Sequence, residues 1–296
     1  MENRFTEALA SGRILIGDGA MGSELQARGL AGGDCGVQWN LTHPDKVLEI
    51  HRGYVEAGCD ILLTNTFGAN GPQLRKFHMD GSVEKICRAG VKLAREAIGD
   101  AGIVLGDIGP SGEMIEPIGN FSTGDFEEVF GEVAAGFVQA GVDALIVETM
   151  IAIEECEAAV RACKAAGELP VIASMAFEPT AGGDFRTMMG IDVPTFVRRA
   201  AAAGANVVGA NCGCSIEHMV KIIERVAQVT ELPIMAQPNA GMPRLERGVT
   251  VYDETPEQFA ALVPALLEAG ADIVGSCCGT DPAFTRKIVE VVRGGG

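Results

Sequence analysis

Several things are scarce in this chain of 296 residues. Aromatic residues make up 5% of it, with one tryptophan and two tyrosines. So few rings argue against an aromatic-rich β-sandwich, whereas abundant Ala, Val, Ile and Gly suit helices packed closely on parallel strands. Basic residues are outnumbered, 23 Lys and Arg against 40 Asp and Glu, for a formal charge of −17, and no run of Lys or Arg exceeds two. A nucleic-acid-binding face needs a basic footprint and a membrane surface attracts one, so neither partner is expected. The acidity itself serves solubility. No apolar run reaches the roughly 18 residues of a transmembrane helix, and the opening MENRFTEALASGR is too polar for a secretory signal. Nine cysteines, an odd number, without such a signal read as reduced thiols in a cytoplasmic setting. No C-x-x-C pair occurs among them.

What is present is a repeat. EAGCDILLTNTF (56–67), QAGVDALIVETM (139–150), AAGANVVGANC (202–212) and EAGADIVGSCC (268–278) share one plan. Ala-Gly closes a helix, where glycine tolerates the left-handed cap conformation. One residue and an Asp or Asn follow, then a short apolar run that fits a strand buried on both faces, then polar residues, Gly or Cys. RILIGD (13–18), GIVLGD (102–107), LPVIASMAF (169–177) and LPIMAQPN (232–239) read as strands with polar ends, bringing the strands to eight. Helices are expected at about 44–58, 82–99, 125–140, 153–166, 193–203, 216–229, 255–269 and 281–292. Starts such as His43-Pro44, Thr255-Pro256 and Asp281-Pro282 support several of them.

Eight strands alternating with eight helices predict a single α/β domain over residues 1–296, a (β/α)8 TIM barrel with its site at the C-terminal ends of the strands. A doubly wound open sheet is the alternative. At 47% hydrophobic the chain can bury a large core, and no linker divides it. The longest irregular stretches follow the first, second, third, fifth and seventh strands, which would place them at the barrel mouth. The terminal Gly294-Gly295-Gly296 reads as a frayed end.

In such a barrel the strand ends converge. They carry Asp18, Asn65 and Thr66, Asp107, Glu148, Glu178, Asn211 and Cys212, Gln237 and Asn239, then Cys277 and Cys278. Carboxylates, amides and thiols dominate, and histidine is missing: His43, His51, His78 and His218 all fall in helices or connections. GDGAMG (17–22) matches G-x-G-x-x-G, but no second strand ending in an acidic residue follows about 20 residues on, as a dinucleotide fold requires. The better reading is a tight turn holding Asp18 at the mouth. Cys59, Cys87, Cys156 and Cys163 read as small buried hydrophobes, and Cys35 lies in a loop without a role. Cys212, Cys277 and Cys278 converge where the sixth and eighth strands end, which points to a metal site; Cys214, one step further into the loop, is the weaker candidate.

Zinc takes thiolates in tetrahedral geometry, and three protein ligands with one open position is the catalytic arrangement. Zn²⁺ with three thiolates carries a net −1, a poor Lewis acid for carbonyls but able to hold a soft thiol as a thiolate at neutral pH. An all-sulfur site therefore fits thiol alkylation better than hydrolysis. A phosphate-binding barrel using the glycines of GSCCGT (275–280) is disfavoured, because that loop lacks a basic residue. Gly275 and Gly279 would let the backbone turn so that both neighbouring cysteines reach one ion.

DGAMGSEL (18–25), LTNTFGAN (63–70), GDIGPSGE (106–113), VET (147–149), GANCG (209–213), PNAGMP (238–243) and GSCCGT (275–280) run in order along nearly the whole chain. On these motifs the chain resembles the homocysteine S-methyltransferase family, nearest the homocysteine-binding module of cobalamin-dependent methionine synthase. The resemblance implies a (β/α)8 barrel with zinc held by Cys212, Cys277 and Cys278. It implies homocysteine activated as a thiolate and methylated to methionine. Glu148 would receive the substrate ammonium, Asp18 and the backbone of Gly19 would hold the amino-acid end, and Asn65 and Thr66 would line the pocket. Asn239 matches a residue that supplies an oxygen ligand when substrate is absent. The folate, cobalamin and activation modules of the full enzymes have no counterpart in the sequence. The methyl donor is therefore expected to be a separate methyl-corrinoid protein, the alternative being a small molecule such as S-methylmethionine or a betaine. Gly68 in TNTFGAN stands where the betaine branch carries tyrosine. A non-catalytic homocysteine- or zinc-binding module of a larger complex is the rival from another class.

Overall fold

The computed structural model describes residues 3–246 and 249–294; of the three terminal glycines, Gly295 and Gly296 fall outside that range. The chain begins with α1 (Arg4–Ala10), then β1 (Leu15–Ile16), α2 (Met21–Ala27), a 3-10 turn, α3 (Trp39–Thr42), α4 (Pro44–Ala57) and β2 (Ile61–Leu63). α5 (Gly71–Arg75), α6 (Val83–Ile98), β3 (Ile103–Ile108), α7 (Thr123–Ala140), β4 (Ala144–Met150), α8 (Ile153–Ala166) and β5 (Val171–Met175) follow. A small hairpin of β6 (Glu178–Pro179) and β7 (Phe185–Arg186) precedes α9 (Val193–Ala203), β8 (Val207–Ser215), α10 (Ile216–Ala227) and β9 (Ile234–Asn239). A second hairpin, β10 (Arg244–Glu246) with β11 (Val249–Val251), leads to α11 (Pro256–Glu268), β12 (Ile273–Val274) and α12 (Pro282–Gly294).

Eight strands form one parallel sheet in the order β1-β12-β9-β8-β5-β4-β3-β2. Each is joined to the next by a helix, so this is the (β/α)8 barrel expected from the alternation. The eight expected helices are α4 and α6–α12, within two residues at either end. The five long βα connections also fall where expected and hold α2, α3, α5 and the two hairpins.

The Ala-Gly-x-Asp/Asn repeat has a specific job in closing the barrel. Asp60 donates its N–H to the Ile16 carbonyl (2.7 Å) and accepts the Ile16 N–H on its carboxylate (2.8 Å). Asp143 does the same with Val104, Asn206 with Val171, and Asp272 with Ile234. Each side chain thus completes a ladder bond to the preceding strand, one residue before its own strand begins. The pair formed by Asp60 matters most, because β1 and β2 are the two ends of the strand order. Arginines neutralise two of these carboxylates: Arg13 and Arg293 contact Asp60, both at 2.7 Å, and Arg4 and Arg95 contact Asp143 at 2.9 and 2.6 Å.

Inside the barrel Leu15, Ile61, Ile103, Leu105, Ile146, Ile172, Met235 and Ile273 pack in layers with Phe5. Phe5 comes from α1, which lies across the N-terminal end of the barrel. Asn3 caps that helix through Oδ1 to the N–H groups of Phe5 and Thr6 and ties it to the Asp143 carbonyl through Nδ2 (2.8 Å). The floor is therefore sealed and the opposite end is open. Among the described residues no helix is long and apolar enough to cross a membrane.

Candidate active site

At the C-terminal ends of the strands lies a cavity of about 440 Å³. Asp18, Gly19, Asn65, Glu148, Cys212, Cys277 and Cys278 all line it, together with Asp107, Thr149, Gln237 and Ser276. Among the described residues no lysine or arginine lines it.

The three thiols come from two strand ends. Cys212 follows Asn211 in β8, where the ladder to β9 shifts register between Asn211 and Ser215. Its backbone is left-handed, φ 58°, which turns the side chain out of the strand alternation. Cys277 and Cys278 follow β12 in a turn closed by Gly279, also left-handed at φ 82°. A Cβ on Gly279 would enter the Tyr252 ring, so space and backbone both demand glycine there. Gly275 works otherwise than expected. It has no left-handed φ; a Cβ there would lie 3.1 Å from the Asp18 carbonyl oxygen and 3.4 Å from Gly17 Cα. It permits close approach of β12 to the first strand end rather than a turn.

The Cys212 and Cys278 sulfurs are 3.8 Å apart, Cys277 and Cys278 are 3.9 Å apart, and all three lie within 4.8 Å of one another. Sulfurs bound tetrahedrally at about 2.3 Å to zinc sit about 3.8 Å apart, so the spacing suits one ion. The three thiols also perturb one another: hydrogen bonds from Cys277 and Cys278 pull Cys212 below the usual thiol range, and the bond to Cys212 pushes Cys277 and Cys278 above it. Asn239, at the end of β9, lies close enough to Cys212 to help lower its thiol, while its Oδ1 is buried with no hydrogen-bond partner. An orphaned oxygen beside three thiols fits the fourth ligand of a metal ion. Cys214 is not part of this group: it is fully buried, and desolvation pushes its thiol up to about 12.

Three buried carboxylates face the thiols. Burial raises Asp18 to about 8, although the Leu63 N–H, donated to its Oδ2 at 2.9 Å, pulls the other way. That bond ties the ends of β1 and β2 together. Burial, then the Cys212 charge, then Asp18 raise Glu148 to about 8. Asp107 is raised well above the carboxylate range by burial, with Glu148 and Asp18 adding to it, and its Oδ1 has no partner. Asp107 stood among the strand ends in the sequence without a role; its burial beside Glu148 was not readable there. Acidic groups line the site and, among the described residues, no cationic side chain does, an arrangement that suits a cationic ligand, whose charge would favour their ionised forms.

Other strand-end residues serve the walls. Asn65 lines the cavity but donates to the Gly36 carbonyl (3.1 Å) and the Asn40 Oδ1 (3.0 Å), pinning the first βα connection. Thr66 is buried, gives its hydroxyl to the Asp107 carbonyl (2.8 Å), and lies outside the lining. Glu178 is exposed on the β6–β7 hairpin, beyond the end of β5, and away from the cavity lining. Gly19 has an excluded-volume reason: a Cβ would meet Thr280 Oγ1 at 2.8 Å and Ser276 Oγ at 2.9 Å. None of the four histidines lines the cavity.

The family model described as homocysteine S-methyltransferase matches residues 15–292. The methionine synthase of Mycobacterium tuberculosis is 32% identical over 302 residues, covering 95% of this chain and 25% of that protein. The methionine synthase of Mycobacterium leprae is 31% identical over 306 residues, covering 97% and 25%. The chain thus spans about a quarter of the length of these curated relatives. Among solved structures, the metallated form of the homocysteine methyltransferase MmuM from Escherichia coli superposes with a TM-score of 0.81 at 23% identity, covering 98% of this chain and 100% of that one. That likeness is one of fold.

Proposed function

Because the chain belongs to the homocysteine S-methyltransferase family, we propose that it methylates the sulfur of homocysteine to give methionine, with Cys212, Cys277 and Cys278 holding a zinc ion and a separate methyl-corrinoid protein as donor. The observation that carries the reading is the placement of three sulfurs, 3.8–3.9 Å between neighbours, in one cavity with Glu148, Asp18 and Asp107. When bound, zinc would supply a position for the substrate sulfur and keep that sulfur deprotonated at neutral pH.

The protein's own groups account for the rest. Glu148 would receive the ammonium of homocysteine, with Asp107 beside it. In the empty cavity burial keeps these carboxylates protonated near neutrality; an arriving ammonium favours their charged form and draws the protons off. Among the described residues no arginine or lysine lines the cavity to meet the carboxylate end of the substrate; main-chain N–H groups at Gly19 and the start of α2 would hold it, with Asp18 fixing that strand end. Asn65 and Thr66 maintain the wall. Asn239 Oδ1 would occupy the metal when substrate is away.

The rim supports a macromolecular donor. Phe67, Phe77, Met114, Ile118, Met188, Met242 and Leu245 are the exposed large hydrophobics among the described residues; every one stands on a βα connection, and Phe67 and Phe77 line the cavity. Exposed apolar side chains on the connections that carry the site suit a docking protein better than bulk water. A small donor, S-methylmethionine or a betaine, is the second reading. It is favoured by the extension of the cavity past the thiols to Leu30, Val37, Phe67 and Phe77, which leaves room beside the amino acid.

Zinc analysis of the purified protein tests the core of the proposal. About one zinc per chain is expected, lost in Cys277→Ala; unchanged zinc in that variant refutes it. A donor screen with homocysteine then separates the alternatives: a methyl-corrinoid protein should yield methionine. Turnover with a small donor alone favours the second reading, and no methionine with any donor favours a non-catalytic binding module.

A further inference from the structure

Thr149 and Cys212 share an unusual backbone. With His78 they are the non-glycine residues with left-handed φ among those described, at 56° and 58°. For a β-branched residue such as Thr149 this region is particularly unfavourable. Both lie where the sheet ladder breaks register, β4 against β5 between Val147 and Met150, and β8 against β9 between Asn211 and Ser215. One break sits next to Glu148, the other at Cys212 itself.

β4 and β8 are not neighbours, because β5 runs between them. A single side chain spans all three. Asn211 is fully buried. Its Oδ1 accepts the Thr149 N–H (2.9 Å) and the Ser174 hydroxyl from β5 (2.7 Å), and its Nδ2 donates to Thr149 Oγ1 (2.6 Å). Asn211 does not line the cavity, so these bonds serve the frame and not a ligand.

We propose that Asn211 is a positioning residue that locks the two bulges to each other and so fixes the separation of Glu148 from the Cys212 sulfur, coupling the ammonium end of the site to its metal end. Strained backbone persists where the surroundings over-determine it, and three hydrogen bonds to one buried amide do that here. Without the amide, the Thr149 N–H loses its acceptor and both bulges are free to relax. The proposal rests on the reading that the thiols hold zinc and that Glu148 holds the ammonium.

The test compares wild type with Asn211→Ala and Ser174→Ala. Zinc affinity is read by chelator competition, homocysteine affinity by calorimetry on zinc-loaded protein, and folding by the thermal midpoint. Asn211→Ala should weaken zinc about 10- to 100-fold, the range seen when a group orienting a metal ligand is lost, and should weaken homocysteine binding with it. Ser174→Ala removes one neutral hydrogen bond and should weaken both by about 2- to 10-fold. Asn211→Ala with a lowered midpoint but wild-type affinities for both ligands overturns the proposal. If that variant does not fold, Ser174→Ala decides on the same two affinities. A wild type that takes up no zinc overturns the underlying reading and this inference together, whereas a zinc-binding wild type with indifferent variants overturns the inference alone.

Discussion

Replacing Glu148 by glutamine keeps the shape of the side chain and removes its charge. Glu148 is 8% exposed, at the end of β4, and among the described residues no cationic side chain lines the same cavity. If it holds the ammonium of homocysteine, the variant leaves a charged group facing a neutral amide. Removing one partner of a buried, hydrogen-bonded charge pair costs about 2–4 kcal/mol. Part of that is hidden at pH 7. Burial, with help from the Cys212 charge, lifts Glu148 to about 8, so ionising it one unit below that value costs wild type about 1.4 kcal/mol. The net loss at pH 7 is then about 1–3 kcal/mol, or roughly 5- to 150-fold in Kd. It should widen as pH rises to 8.5, where wild type no longer has to give up the proton. Calorimetry with zinc-loaded protein reads this directly. 4-Mercaptobutyrate, which lacks the ammonium, is the control and should bind both proteins alike. Unchanged homocysteine affinity, an equal loss for mercaptobutyrate, or loss of zinc from the variant would each refute the role given to Glu148.

Other consequences are simpler to check. Gly19→Ala should weaken homocysteine binding and cost about 1–3 kcal/mol in urea unfolding, because its Cβ would press on Thr280 Oγ1 and Ser276 Oγ; wild-type values for both would contradict the packing. Asp143→Ala leaves Arg4, Arg95 and the Val104 N–H without their partner and should lower unfolding stability by about 3 kcal/mol without changing zinc content. His51 is buried with neither ring nitrogen hydrogen-bonded, and desolvation lowers it from 6.5 to about 4. The unfolded chain therefore binds this proton first as pH falls, so stability is lost across that window. His51→Leu should gain on wild type by up to about 1.4 kcal/mol per pH unit between 6.5 and 4; a constant difference would rule the effect out. Peroxide should inactivate the enzyme and release zinc together, since thiolates at an open site are exposed to oxidants; activity that survives with zinc still bound would contradict this.

How much the sequence disclosed depended on the range of each interaction. The helices were legible because Ala-Gly closures and Pro starts are local signals. Cys212 and Cys277 are 65 residues apart, yet their meeting was readable once eight strands implied a barrel, since the topology alone brings strand ends together. The Asp and Asn of the repeat stood out as a pattern, but their reciprocal bonds to Ile16, Val104, Val171 and Ile234 depend on strand register, which no single segment encodes. Asn211 was visible only as a strand-end amide; its partners lie 37 and 62 residues away. Asp107 likewise becomes notable only when Glu148 and Asp18 are seen beside it. The helix α1 left a weak trace because its seven residues carry a single fully buried side chain, Phe5, whose role is set by the barrel above it. Gly275 shows the converse, a glycine whose need comes from a neighbouring strand end rather than from its own φ.

The central claim is that one zinc ion is held by three sulfurs of this chain and takes its fourth from homocysteine. X-ray absorption at the zinc edge counts sulfur neighbours directly. With the purified protein the account predicts three sulfurs and one lighter atom around zinc, changing to four sulfurs when homocysteine is added. A shell that stays at three sulfurs with saturating homocysteine, or that contains fewer than three from the protein, would contradict it.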